Sequence, residues 1–234
     1  MTFPLPEVPV PGRLPRVDSS LTPLYSWDIR AGRYASRVTG RYIAFSAIRD
    51  ALESVIASSS NNMVLASHQL TNSSISLSTW ERTMMAEIKA LHIASAASAK
   101  GGWAQMTNSD WLFVKDQIKA QYVYLQNFAS EIYSGKQKLG GAFMFRTRLY
   151  GQAGRGTFED VRRREAVARE FDQEKRILGV ADHCAGCLQQ AFLKWQPAGV
   201  LHSIGSEECA TNCHCYFVFR NSATGEELSF HQEV

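Results

Sequence analysis

At 234 residues, with 45% hydrophobic and 20% charged residues, the chain has the makeup of a folded globular protein rather than a disordered one. The net charge of +3 is too mild to imply a nucleic-acid partner by itself. No run approaches the ~20 continuous apolar residues of a membrane helix, and Met1 to Arg16 lacks the apolar core of a signal peptide. Synthesis in a reducing cytosol is therefore expected, where cysteines bind metal rather than form disulfides.

The length suits one large domain or two small ones. Six of the seven prolines lie in residues 1–23, and residues 1–37 are read as an extended arm without a core of its own, since proline removes backbone donors and favours extended geometry. A helical body is expected over residues 38–179. From Val38 to Ala57, Ile43, Ala47, Ile48, Leu52, Val55 and Ile56 recur at three- and four-residue spacing, and the polar tract Ser58 to Asn62 is expected to end that helix. A second helix is expected from Ser78, with Glu81 completing a capping box and Met84, Met85, Ile88 and Leu91 on its buried face; Gly101-Gly102 breaks it. A third runs from Ser109 to Ser134. Asn108 or Ser109 caps it, Asp110 suits its positive end, and Gly135 stands at its left-handed stop. Trp111, Val114, Ile118, Tyr122, Leu125, Phe128 and Ile132 form its apolar stripe, read as core. His68 and His92 stand alone on helices and are read as packed or surface residues.

Residues 136–164 hold eight basic side chains against two acidic ones. Arg146, Arg148, Arg155, Arg162, Arg163 and Arg164 read either as a solvated helix face or as a contact surface for phosphates or acidic protein groups. A last helix is expected from Thr157 to Arg176, ending near Gly179. Beyond it the pattern breaks into short pieces. Tyr216 to Phe219 and Leu228 to Phe230 are expected to form a hairpin across Ala223-Thr224-Gly225.

All five cysteines fall between residues 184 and 215, as Cys184-x2-Cys187 and Cys209-x3-Cys213-x-Cys215. Two close sets separated by a longer span have the spacing of a structural metal site, because each set bites one edge of a tetrahedral ion. Four thiolates suffice for zinc, so one cysteine is surplus, and His183, His202 and His214 lie nearby. Cys184 and Cys187 are read as acting together, joined by Cys209 and Cys215 with Cys213 close behind. Gly186 makes the first turn tight, and Trp195 is read as small core over the metal loop. A segment of this size with few aliphatics needs such a staple. The expected fold is mainly α: a helical body followed by a small C-terminal zinc-binding module, residues 180–234, that contains a β-hairpin.

The chain has no Walker loop, no Gly-x-Ser-x-Gly elbow and no His-Glu-x-x-His, and it lacks the His-x-Glu and Pro-Cys-x-x-Cys of the zinc deaminases. An enzyme is not expected; an open metal site would have only Glu207 and Glu208 as nearby bases.

The run from Arg146 to Arg220 resembles the C-terminal half of tailed-phage minor head, or head-morphogenesis, proteins related to the F protein of phage Mu. The resemblance rests on Arg146-Thr147-Arg148-Leu149-Tyr150, Gly154-Arg155-Gly156-Thr157-Phe158-Glu159, Leu178-Gly179, His183-Cys184-x2-Cys187, Trp195-x-Pro197-x-Gly199, Cys209 and Asn212-Cys213-His214-Cys215, in that order. Met106-Thr107, Asp110-Trp111 and the Gln121 to Phe128 helix extend it to roughly residues 100–220. The commoner family form ends in His-Pro-Asn-Cys-Arg-Cys; here Cys209 stands for that histidine, one residue further from Cys213, and His214 for the arginine. The resemblance implies a structural virion protein of the head or head–tail junction, synthesised in a bacterial cytoplasm, that associates with portal, capsid or neck proteins in a multi-subunit assembly. A second expectation, from another class, is a zinc-stabilised DNA-binding protein acting on the packaged genome, which needs the arginines to share one face.

Overall fold

A computed structural model describes residues 24–209 and 213–231. The prolines read as an arm, Pro4 to Pro23, lie outside the described residues, whereas residues 25–36 form a hairpin packed on the body. β1 (Tyr25–Asp28) and β2 (Arg33–Ser36) pair antiparallel, Tyr25 opposite Ser36 and Asp28 opposite Arg33. Their turn is held by Asp28 Oδ1, which accepts from the N–H groups of Arg30 (3.0 Å) and Ala31 (3.1 Å). Tyr25, Trp27 and Tyr34 are buried, and the Tyr34 hydroxyl donates to the Ala99 carbonyl at 2.7 Å. Alternation at period two is the reason these residues form a hairpin rather than extending the arm.

α1 (Phe45–Thr71) continues through the polar tract expected to end it. Ile48, Leu52, Ile56, Ser59, Met63, Ala66, Ser67 and Leu70 keep one helical face buried, so the serines belong to the stripe. Ser60 meets another helix: a Cβ at Gly151, in α4 (Gly141–Gln152), would stand 2.6 Å from the Ser60 Cβ, so α4 packs directly on α1 there. α2 (Leu77–Lys100) begins at Ser76, whose hydroxyl accepts from Thr79 N–H at 3.2 Å; Ser78 sits inside the first turn, and Glu81 is buried rather than part of a capping box. The left-handed Gly101 (φ +76°) closes it as expected. α2 is central, packing against α1, α3 (Asn108–Tyr133) and α5 (Gly154–Ala168). Trp80 meets the rings of Phe128 and Phe143 and donates from its indole to Ser67 Oγ at 2.9 Å. α3 has a complete capping box, but its cap is Thr107, one residue before the expected positions, with Asp110 in the return role. α4 (Gly141–Gln152) and α5 abut at Ala153.

The expected helix over Thr157–Arg176 is two elements. α5 ends at Ala168, and after a positive-φ Glu170 (φ +67°) the chain enters β3 (Gln173–Ile177). β3 lies between β4 (Gln196–Pro197) and β5 (Tyr216–Arg220), and β5 carries β6 (Glu227–Ser229), giving an antiparallel sheet in the order β4-β3-β5-β6. Glu174 is opposite Phe219 and Arg176 opposite Phe217. Both charged residues point inward, at 0% and 1% exposure, so the strand hides its alternation in charge rather than in apolar side chains. The β5–β6 hairpin forms where expected. The protein is thus mainly helical with small sheets, and no helix among the described residues is long and apolar enough to cross a membrane.

Candidate metal centre

The cysteines are assembled from three directions. Cys184 caps α6 (Ala185–Phe192), its sulfur accepting from the Cys187 N–H at 3.4 Å, and the first turn of α6 turns Cys187 wholly inward. Gly186 leaves room for the 207–209 loop: a Cβ there would run into the Glu207 carboxylate, while its N–H donates to Glu208 Oε2 at 3.0 Å. That loop brings Cys209 Sγ to 3.4 Å from Cys187 Sγ. Cys213 and Cys215, just before β5, are buried on the other side, with Cys213 Sγ at 3.5 Å from Cys187 Sγ. Gly179 admits this segment, because a side chain there would strike the His214 carbonyl. Cys184, Cys187 and Cys209 have sulfurs all within 4.8 Å of one another, and so do Cys187, Cys213 and Cys215. His183 Nδ1 is 3.9 Å from Cys215 Sγ, whereas His202 pairs with Glu207 at 2.7 Å and His214 is exposed.

All five thiols are free. The 3.4 and 3.5 Å separations are far from a disulfide bond of ~2.05 Å but near the ~3.8 Å edge of a tetrahedron with ~2.3 Å zinc–sulfur bonds. The electrostatics differ from thiol to thiol. Hydrogen bonding from Cys215, with backbone donors, draws the Cys213 thiol down to about 4. Cys184 also lies below its ordinary value: burial, the largest single influence, opposes ionisation, but the N–H groups of Cys187 and Cys209 outweigh it together. Cys187 and Cys209 are pushed up, first by burial, and Cys215 by its bond to Cys213. Sulfurs this close oppose one another's ionisation, and a cation among them removes that opposition.

Arg176 supplies an independent sign of negative charge here. It is 1% exposed, and among the described residues no carboxylate pairs with it; its guanidinium donates to Cys187 Sγ at 3.5 Å and to the carbonyls of His202 and Ser203. A buried guanidinium needs a buried anion, and thiolates are the anion at hand. The donor set and its surroundings therefore fit a thiolate-bound metal ion.

The arginines read as a contact surface are mostly engaged within the protein. Arg146 pairs with Glu131 and lies over Phe128. Arg155 holds Glu53 through two bonds of 2.6 and 2.5 Å. Arg162 is 1% exposed among Tyr34, Phe45, Phe158 and Phe230, with Glu159 at 3.6 Å. Arg163 joins Glu174 at 2.8 Å, and Arg164 reaches Ser109 Oγ at 2.6 Å. Arg148 is exposed. Trp195 is half-buried beneath the charges of Lys175 and Arg220, on the sheet, and takes no part in the buried core. His68 is exposed; His92 is buried and bonded to Thr157 Oγ1 at 2.6 Å. Arg176 escapes motif reading because it belongs to no ligand pattern, and its only trace is the Glu174–Arg176 alternation; Glu208, read from the sequence only as a possible base, instead accepts from the Gly186 N–H beside the cysteines. No protein-family model, no curated protein and no solved structure matches this chain.

Proposed function

We propose that this chain is a structural protein of a tailed-phage particle, built into the head or head–tail junction in contact with portal, capsid or neck proteins, and that zinc stabilises its C-terminal segment. The observation that carries the reading is the convergence of the five thiols on Cys187, in a chain whose motif order from Arg146 to Cys215 resembles the minor head proteins. Burial on several sides and a guanidinium in the surroundings suit a closed, structural site rather than an open catalytic one. In this role the metal ties α6, the 207–209 loop and the start of β5 into one rigid surface. Leu112, Val123 and Tyr124 stand 60%, 55% and 61% exposed on α3, apolar surface of the kind a partner covers. The reading assigns DNA contact no central part, because Arg155, Arg162 and Arg163 are committed to internal carboxylates.

The test is elemental analysis of tag-free protein with a thiol count under denaturing conditions, followed by co-expression with a phage portal protein and sizing of the product. Bound zinc with reduced thiols and a portal complex are expected. Absence of metal with oxidised cysteines would overturn the zinc assignment, and failure to associate with portal, capsid or neck proteins would overturn the assembly role.

A further inference from the structure

From the arrangement of the five sulfurs we infer a two-ion centre in which Cys187 Sγ bridges both metals, one ion held with Cys184 and Cys209 and the other with Cys213 and Cys215. This rests on the metal-binding reading above and extends it. A single four-sulfur site needs four sulfurs mutually about 3.8 Å apart. Here the sulfurs fall into two sets of three, each mutually within 4.8 Å, that share Cys187; Cys209 also faces Cys213 across the two sets, yet among the described residues no set of four gathers within that distance. A sulfur shared by two triangles occupies the position of a bridging thiolate.

Each triangle has a further donor at hand. His183 Nδ1 lies 3.9 Å from Cys215 Sγ and completes a three-sulfur, one-nitrogen set around the second ion. Glu208, hydrogen-bonded to Cys184 and to the N–H of Gly186, stands beside the first. Charge selects the same stoichiometry. With one zinc, four thiolates leave two negative charges and the fifth thiol idle; the buried Arg176 offsets only one of them. With two zinc ions, the five thiolates leave one negative charge, which Arg176, bonded to the shared sulfur itself, offsets, while the exposed Glu208 carboxylate keeps its own charge toward solvent. The thiols still protonated release their protons to solvent as two divalent cations enter, so no cysteine is surplus. Soft thiolate donors restrict the ions to thiolate-preferring metals, and two monovalent copper ions would leave three negative charges against one guanidinium, which favours zinc.

The experiment is native mass spectrometry of the full chain, purified without a tag and equilibrated with zinc under reducing conditions. The expected mass shift is two zinc ions for the parent protein, one for the His183→Ala, Cys215→Ser variant, and none for Cys187→Ser. One ion in the parent that survives in the His183→Ala, Cys215→Ser variant would overturn the two-ion centre while leaving the metal site intact. No ion in the parent would overturn both. Because a variant can fail to fold, the parent alone is also loaded with cadmium-113: two resonances in the thiolate range are expected, and a single resonance would overturn the proposal.

Discussion

Around Trp80 the interior is made of rings and aliphatic chains, whereas around Cys187 it is made of sulfur, guanidinium and backbone carbonyls. In the first region Trp80, Phe128, Phe143 and Met84 are wholly buried, and burial of such side chains stabilises by roughly 1.5–3 kcal/mol each. In the second, Glu174, Arg176 and Cys187 are buried just as completely. Equal burial thus rests on different chemistry. The bundle is held by removing apolar surface from water, and the sheet region by pairing charges that would be costly alone. The two should fail under different insults.

The sharpest break is expected on metal removal. With zinc bound as proposed, and structural zinc contributing on the order of 10 kcal/mol to folding, a strong chelator under reducing conditions should open residues from about 180 onward to protease while the far-ultraviolet helical signal stays largely intact. Unchanged protease resistance would place both regions in the same class. The reverse experiment is Phe128→Ala, which removes the ring that Trp80 and Tyr150 pack on. A loss of about 3–5 kcal/mol in urea unfolding is expected, with any bound metal at neutral pH unchanged.

A titration sharpens the comparison further. Burial holds His92 neutral, drawing its pKa from 6.5 down to about 4. The unfolded chain takes up this proton near 6.5 and the folded chain only near 4, so the contribution is complete above pH 6.5, is lost as pH falls toward 4, and then levels off. Its size is on the order of 3 kcal/mol. His92→Gln should remove that part of the acid slope, and a slope identical to the parent's would show that His92 is not held neutral. The smallest effect is Thr107→Ala at the α3 cap, about 1 kcal/mol in urea unfolding, with no change in metal content.

The same division governs how much of the molecule is legible in its sequence. The α3 stripe and the hairpin of Tyr216 to Phe230 are legible because apolar residues recur at 3.6 or at 2. β3 is not, because Gln173-Glu174-Lys175-Arg176-Ile177 alternates charge, and a charged run near the end of a helix reads as more helix. The extension of α1 escapes the pattern because Ser59 and Ser67 are polar by type yet buried, Ser67 with its hydroxyl bonded to Trp80 and Thr147. The cysteine spacing points to the correct neighbourhood, since all five sulfurs gather around Cys187. What it cannot supply is Arg176, whose role exists only once β3 is laid against α6.

The central place of β3 in the second sheet makes the cysteine segment a poor cassette. A fragment beginning at residue 180 would carry every sulfur, yet β5 would lose the neighbour it pairs with from Gln173 to Ile177, and the cluster would lose its guanidinium. Transplanted alone, such a piece would offer metal ligands without the wall they are set in; a graft that keeps this chemistry must begin upstream, where α5 hands the chain to the sheet.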